Sequence, residues 1–164
     1  MNVWRIHLKP KNTTSINLTR TFCLSNNIVG VGWRIDDTTE SCTWEQYETE
    51  AKKEYRDKNN WKSALNAFYH EIEINDLIWT KDSQNNYYLG RITGNWFYQG
   101  KQENLKVDIV NIRSCEWYKV GTVKSIPPKL INYFTPPTLQ RVKNQSLRTD
   151  SKDIYNQLSG NPIY

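Results

Sequence analysis

The residues Gly30, Val31, Gly32 and Trp33 place a tryptophan directly after two glycines. Glycine lets the main chain approach a bound group closely, and an indole face stacks on a nucleobase with about 1–3 kcal/mol per base. This arrangement favours a site for a flat ring. A buried tryptophan is also a common core residue, so a purely structural Trp33 is the alternative.

Aromatic residues recur past another glycine, at Trp96, Phe97 and Tyr98. We predict that Trp96 and Tyr98 supply the second wall of an aromatic cage opposite Trp33, with the choice among the three residues left open. Polar groups must then satisfy the edge of the bound ring. The candidates for that role are Ser25, Asn26, Asn27 and Gly32.

A methylated base suits such a cage, because its methyl group packs against aromatic carbons. Another ring is rejected by its shape and by the polar groups that it leaves unpaired. A base inside a duplex reaches a pocket only by flipping, at a cost of a few kcal/mol. Contacts to phosphate offset that cost. The predicted phosphate-binding residues are Lys9, Lys11, Arg34 and Arg91, together with the basic C-terminal third.

The charge of the chain is uneven along its length. The net charge is +5 over 164 residues, and from Tyr118 onward seven basic residues accompany only two acidic ones. This asymmetry indicates a polyanionic partner. A solvated basic tail is the alternative.

The sequence contains no glycine-rich phosphate loop, no nucleophile elbow and no zinc-protease motif. Its three cysteines are widely separated and it has only two histidines, so we expect no metal site, no cofactor and no catalytic residue. No apolar run is long enough to span a membrane, and the N-terminus has no signal-peptide pattern. We therefore expect a cytoplasmic, non-enzymatic protein without membrane contact.

The length and a hydrophobic fraction of 37% predict one globular domain. Alternation of apolar and polar residues predicts strands at 3–8, 28–35, 76–81 and 87–93. The segments 107–113 and 115–120 are predicted to form either one further strand or a bent pair. Residues 99–105 are expected to form a loop. Because the strands are short and few helices lie between them, the fold class is α+β, a small mixed β-barrel flanked by helices.

Helices are predicted where apolar residues recur at helical spacing. Asn17 caps a first short helix, and Thr43 with Gln46 forms a capping box before a second one. Trp61 begins a third helix, the region 129–134 forms a short one, and 149–158 forms the last. We predict that Trp44, Trp61, Phe68, Trp79 and Trp117 are core residues.

Several short motifs resemble the PUA-like superfamily, in particular its EVE and YTH modules. The motifs are Gly30–Trp33, a helix with Trp61, Ile74–Trp79, Tyr88–Gly94 and Arg113–Trp117. The resemblance covers about residues 3–120 and implies a small barrel that holds a modified base in an aromatic cage, with Trp33 as the first wall. Related modules stand at the N-terminus of modification-dependent, McrB-like restriction proteins. The resemblance therefore implies a recognition module for modified DNA in a restriction or phage-defence system, with a fused or associated nuclease or effector domain.

Two regions follow from this interpretation: a base-reading barrel at 1–120 and a basic extension at 121–164. The extension either packs on the barrel or leads to a further effector domain. Alternative functions are an RNA-binding module of the same fold, a small hydrolase or nucleotide-binding enzyme, and a protein-interaction module with an aromatic hot spot.

Overall fold

Seven strands form a mixed sheet that curls into a half-barrel. The computed structural model describes residues 1–8, 16–58 and 60–163. The strands are β1 (Val3–Ile6), β2 (Ile28–Val31), β3 (Leu77–Lys81), β4 (Tyr87–Ile92), β5 (Phe97–Tyr98), β6 (Asn111–Gly121) and β7 (Leu139–Arg141). Their order across the sheet is β2-β6-β4-β3-β1-β7, with β5 also paired to β6.

Helices cover the sheet. They are α1 (Ile16–Ser25), α2 (Trp44–Glu54), α3 (Asn60–Asn66), α4 (Gln102–Val107) and α5 (Gln145–Ser159). A π-helical turn (Ala67–Glu71) continues α3, and 3-10 turns occupy Val123–Ser125 and Pro128–Tyr133. The predicted capping box is confirmed, since Thr43 and Gln46 bond each other's backbone N–H at the start of α2. No helix in the described ranges is long and apolar enough to cross a membrane.

The predicted fold class, α+β with a curled mixed sheet flanked by helices, is confirmed. Strands β1 and β3 run parallel, and the other neighbours run antiparallel. The two faces of β3 show why its sequence alternates: Leu77 and Trp79 enter one core, whereas Ile78 enters the other.

The first core lies between the sheet and the helices α1 to α3. It contains the predicted core residues Trp44, Trp61 and Phe68, and Trp117 packs against it, half-buried. The second core lies on the opposite face under α5, where the indole N–H of Trp79 donates to Ser151 Oγ at 2.9 Å. Trp79 is fully buried there, as predicted.

The chain beyond residue 120 returns to the sheet. β7 pairs with β1, and the buried Arg5 guanidinium donates to the carbonyl oxygens of Pro137 at 2.6 Å and Thr135 at 2.7 Å. On α5, the Tyr155 hydroxyl donates to Glu116 of β6 at 2.8 Å. Both β7 and α5 therefore pack on the remainder of the sheet.

Some predicted boundaries are wrong. The predicted loop at 99–105 contains most of α4, a six-residue helix without a side-chain N-cap bond. Of the two alternatives for 107–113 and 115–120, one strand or a bent pair, the structure has one strand, β6, which begins at Asn111 and not at residue 107. It stays continuous because β2 pairs along one edge while β4 and β5 share the other. The strand predicted at 28–35 ends at Val31, and α1 begins at Ile16, so Asn17 lies inside it.

Candidate functional site

The segment 32–35, directly after β2, is held by four side chains, which come from α2, from the residue after α2, from β5 and from β6. Each of the four residues in the segment uses one backbone group to bond to one of these side chains. Asn111 donates to the Gly32 carbonyl at 2.7 Å, Tyr47 to the Trp33 carbonyl at 2.9 Å and Tyr55 to the Arg34 carbonyl, and the Ile35 N–H donates to the Tyr98 hydroxyl at 3.3 Å. Tertiary hydrogen bonds therefore fix each residue of this irregular segment.

Trp33 has a left-handed backbone conformation, with φ of 60°. A non-glycine residue there costs roughly 1–2 kcal/mol, and a bulky side chain makes it a genuine outlier. The indole is half-buried and packs against the first core. Strain of this kind persists only where surrounding bonds fix it, and it is concentrated at functional sites.

The glycine before it has a close neighbour but no positive φ. A Cβ on Gly32 would lie 2.6 Å from a carboxylate oxygen of Asp108, at the end of α4. A Cβ on Gly30 would lie 2.7 Å from the carbonyl oxygen of Asn111. A close approach of main chain is therefore present at Gly30, whereas at Gly32 the neighbour is the end of the Asp108 side chain, and the left-handed residue is Trp33.

Trp96 lies in an aromatic cavity of about 640 Å3. Its aromatic and amide lining consists of Trp44, Tyr69, His70, Asn95, Trp96 and Phe97. Trp44 and Tyr69 stack with ring centroids 3.9 Å apart and planes 10° apart. Trp96 meets both rings edge-on, at 5.3 Å and 5.4 Å, which is a favourable aromatic geometry.

A buried arginine also lines this cavity. Arg113 of β6 is 4% exposed and donates to the carbonyl oxygens of Phe68 and Tyr69, each at 2.9 Å. Burial lowers its pKa, and Asp76 acts in the opposite direction. In the described part of the chain no carboxylate lies within 4.0 Å of this guanidinium. The cavity thus has a buried cation, Arg113, and a carboxylate, Glu45, among its lining residues.

Asn111 connects the two predicted cage walls. Its amide oxygen accepts from the Trp96 indole N–H at 3.1 Å, and its amide nitrogen donates to the Gly32 carbonyl and, at 3.1 Å, to the Tyr47 hydroxyl. Trp33 itself is not among the described residues that line the Trp96 cavity. The structure therefore links Trp33 and Trp96 through one buried amide and does not place both rings around one described cavity.

The three residues of the run 96–98 differ in exposure. Trp96 is half-buried, Phe97 is 36% exposed and Tyr98 is only 2% exposed. Tyr98 packs on Tyr47 at 5.6 Å, and its hydroxyl holds the Ile35 N–H. Its ring therefore has no open face for a ligand, which corrects the prediction of Tyr98 as a cage wall. Its contacts make it a support for segment 32–35.

The predicted polar residues lie at the wrong end of β2. Ser25, Asn26 and Asn27 are exposed between α1 and β2. The strand from Ile28 to Val31 separates them from Trp33, and four strand residues span about 10 Å. Asn26 donates to the Phe22 carbonyl and so caps its own helix. These side chains do not join Trp33 in one site.

The predicted phosphate contacts are also dispersed. Lys9 and Lys11 lie outside the described residues. Arg34 is exposed and lies 3.4 Å from Asp37. Arg91 is on the second face of the sheet, 3.4 Å from Glu116 and over the Tyr155 ring, so it is a structural residue.

Several site residues have no signal in the sequence. Tyr69 and His70 face the cavity because of the π-helical turn, and Asn111, Tyr47 and Tyr55 act through tertiary hydrogen bonds. In the sequence, Tyr47 and Tyr55 stand out only because they recur with Trp44 and Ala51 at helical spacing. Among the described residues, no group of three or more His, Cys, Asp or Glu side chains is arranged to hold a metal ion.

Comparison with known proteins adds one finding. A family model described as a domain of unknown function (DUF8426) matches residues 4–143, from β1 to just beyond β7. No curated protein and no solved structure matches the chain.

Proposed function

The chain belongs to the DUF8426 family, and we propose that it binds nucleic acid and holds a flipped, modified base against Trp33. The observation that carries this proposal is the set of four hydrogen bonds to segment 32–35, which keep a half-buried tryptophan in a left-handed conformation. A preorganised aromatic ring loses little conformational entropy when a ligand binds.

The surroundings of Trp33 supply further support. The Trp96 cavity holds several aromatic rings and one buried guanidinium, and aromatic faces with a few placed polar groups are typical of sites for flat ligands. Asn111 links this cavity to segment 32–35, so a ligand that moves one affects the other. The proposed base contact is Trp33, and Trp96, Tyr69 and Arg113 line the neighbouring cavity.

In this proposal the domain recognises and does not catalyse. Burial raises the pKa of the Cys23 thiol to about 12 and also raises that of Cys42, which keeps both thiols protonated and poorly nucleophilic. Any cleavage of the recognised nucleic acid then belongs to a separate effector. DNA is the proposed partner, within a restriction or defence system.

The test is a binding titration with labelled duplexes of one sequence that contain methyladenine, methylcytosine or no modified base. We expect the wild-type chain to prefer one modified duplex and Trp33→Ala to lose affinity for it by about 5- to 150-fold, which corresponds to roughly 1–3 kcal/mol of stacking. Tyr133→Ala, which removes a half-buried aromatic residue from the second core, is the control.

Three results would contradict the proposal. Equal affinity for all duplexes would show that the chain does not recognise a modified base. An unchanged preference in Trp33→Ala removes Trp33 from the site. Tighter binding to the matched RNA than to DNA replaces DNA with RNA as the partner.

A further inference from the structure

A second cavity, of about 620 Å3, lies where α2 passes into α3. We refer to it as the basic groove. Its wall contains four cationic side chains and two aromatic ones, and no carboxylate is among its lining residues. These six residues are Lys52, Tyr55, Arg56, Lys58, Trp61 and Lys62.

The cations of the groove are weakly compensated. Lys52 bonds Glu48 at 3.0 Å, and Arg56 lies 3.7 Å from Asp57 with both side chains highly exposed, where an ion pair contributes little. No carboxylate of the described residues lies within 4.0 Å of Lys58 or Lys62. Both side chains are exposed, and the Lys58 ammonium lies over the Tyr55 ring, 6.0 Å from its centroid.

Helix stability does not explain these charges. Lysines at the end of α2 complement the helix dipole, which accounts for Lys52 and Lys53. Lys62, in contrast, is in the first turn of α3, where a cation opposes the dipole. Lys58 lies in the connection between the helices. The helix dipole therefore does not account for Lys58 and Lys62, which places two further cations beside Lys52 and Arg56 in one groove.

The floor of the groove is aromatic and touches the Trp33 segment. Tyr55 and Trp61 are buried, their centroids are 6.0 Å apart, and the Trp61 indole N–H donates to the Tyr55 carbonyl at 3.2 Å. The Tyr55 hydroxyl donates to the carbonyl of Arg34, the residue after Trp33. One tyrosine thus separates the basic groove from the proposed base contact.

We infer that the basic groove binds the sugar-phosphate backbone of the nucleic acid strand whose base is read at Trp33. The inference rests on the proposed function. In this inference the basic groove takes the place of Arg91 and the basic C-terminal third as the main phosphate contact. Proteins that bind single strands commonly combine a basic groove along the backbone with aromatic side chains on which bases stack.

The experiment compares Lys58→Gln/Lys62→Gln with two variants of equal charge change. The matched control is Lys53→Gln/Lys106→Gln, two exposed helical lysines outside the groove lining. The rival variant is Lys124→Gln/Lys129→Gln, in the basic C-terminal third. Binding to unmodified and to preferred modified duplex is titrated at several salt concentrations, and circular dichroism checks that each variant is folded.

We expect the groove variant to bind both duplexes about ten- to a hundredfold more weakly at 0.1 M salt, with the preference for the modified base retained. Each lost phosphate contact lowers the slope of log affinity against log salt by about 0.9, so the slope falls by about 1.8. The control and rival variants keep the wild-type affinity and slope.

The outcomes separate the two hypotheses. If the groove variant keeps the wild-type affinity and slope while Trp33→Ala loses the preference, the groove inference is overturned and the proposed function remains. If the groove variant weakens binding but no duplex is preferred, the proposed function fails, and the groove inference is overturned in favour of a phosphate contact that does not depend on base recognition. A larger loss in the rival variant, or no binding to any duplex, also overturns the groove inference.

Discussion

The phenolic hydroxyl of Tyr47 donates a 2.9 Å hydrogen bond to the carbonyl oxygen of Trp33. The same hydroxyl accepts from the Asn111 amide at 3.1 Å, and Tyr47 is fully buried. A buried residue of α2 thus holds the main chain of the tryptophan on which the proposed function depends. The stability of the core and the geometry of the site share this one group.

Replacing Tyr47 with phenylalanine tests this connection. Tyr47→Phe leaves the Trp33 carbonyl without its donor, so we expect the free energy of unfolding to fall by about 1–3 kcal/mol. We also expect the preference for modified DNA to weaken, because Trp33 is less firmly positioned. Urea unfolding and the duplex titration measure the two effects, with Tyr133→Phe as the control. Full stability with full preference would show that this bond does not position the site.

Two substitutions of Trp33 test its backbone conformation. Glycine accepts a positive φ at little cost, whereas alanine pays roughly 1–2 kcal/mol. We therefore expect Trp33→Gly to be more stable than Trp33→Ala by about 1 kcal/mol in urea unfolding. At most other positions glycine is the less stable of the two. A more stable alanine variant would place residue 33 outside the left-handed region.

Alkaline pH is expected to destabilise the fold through its buried tyrosines. Burial, followed by the charges of Asp108 and Glu54, raises the pKa of Tyr55 to about 12. The unfolded chain, whose tyrosines have a pKa near 10, then binds fewer protons than the folded chain, so stability falls as pH rises from about 10 to 12. One such tyrosine contributes up to about 1.4 kcal/mol per pH unit.

Urea unfolding between pH 8 and pH 11 measures this slope, and Tyr55→Phe provides the comparison. We expect the free energy of unfolding of Tyr55→Phe to fall less steeply with rising pH than that of the wild type, by up to the contribution of one proton. Parallel curves for the two proteins would mean that Tyr55 titrates alike in the folded and unfolded states.

Local patterns in the sequence predicted much of the fold. The capping box at Thr43 satisfies backbone groups within three residues of itself, and the alternation in 76–81 reflects the two faces of one strand. Such features depend on neighbours along the chain. The helix α4 was missed because it is only one and a half turns long and its burial depends on Asn104 and Val107 meeting other elements.

The candidate site was less predictable because it is tertiary. Trp33 and Trp96 were identified as residues, but the amide that links them, Asn111, lies on a strand distant in sequence. The prediction of Tyr98 as a cage wall was wrong because a strand of two residues is too short for alternation to show which of them is buried. The prediction of Arg91 as a phosphate contact was wrong because its side chain packs on Tyr155 of α5, which is far along the chain.

The family match ends at residue 143, before α5 begins. Yet Ser151 receives the indole N–H of Trp79, Tyr155 bonds Glu116, and the second core closes only beneath this helix. A fragment cut at residue 143 would lose the hydrogen-bond partners that α5 gives to Trp79 and Glu116, together with Leu147 and Tyr155 of the second core. The chain used for binding work should therefore extend beyond Ser159.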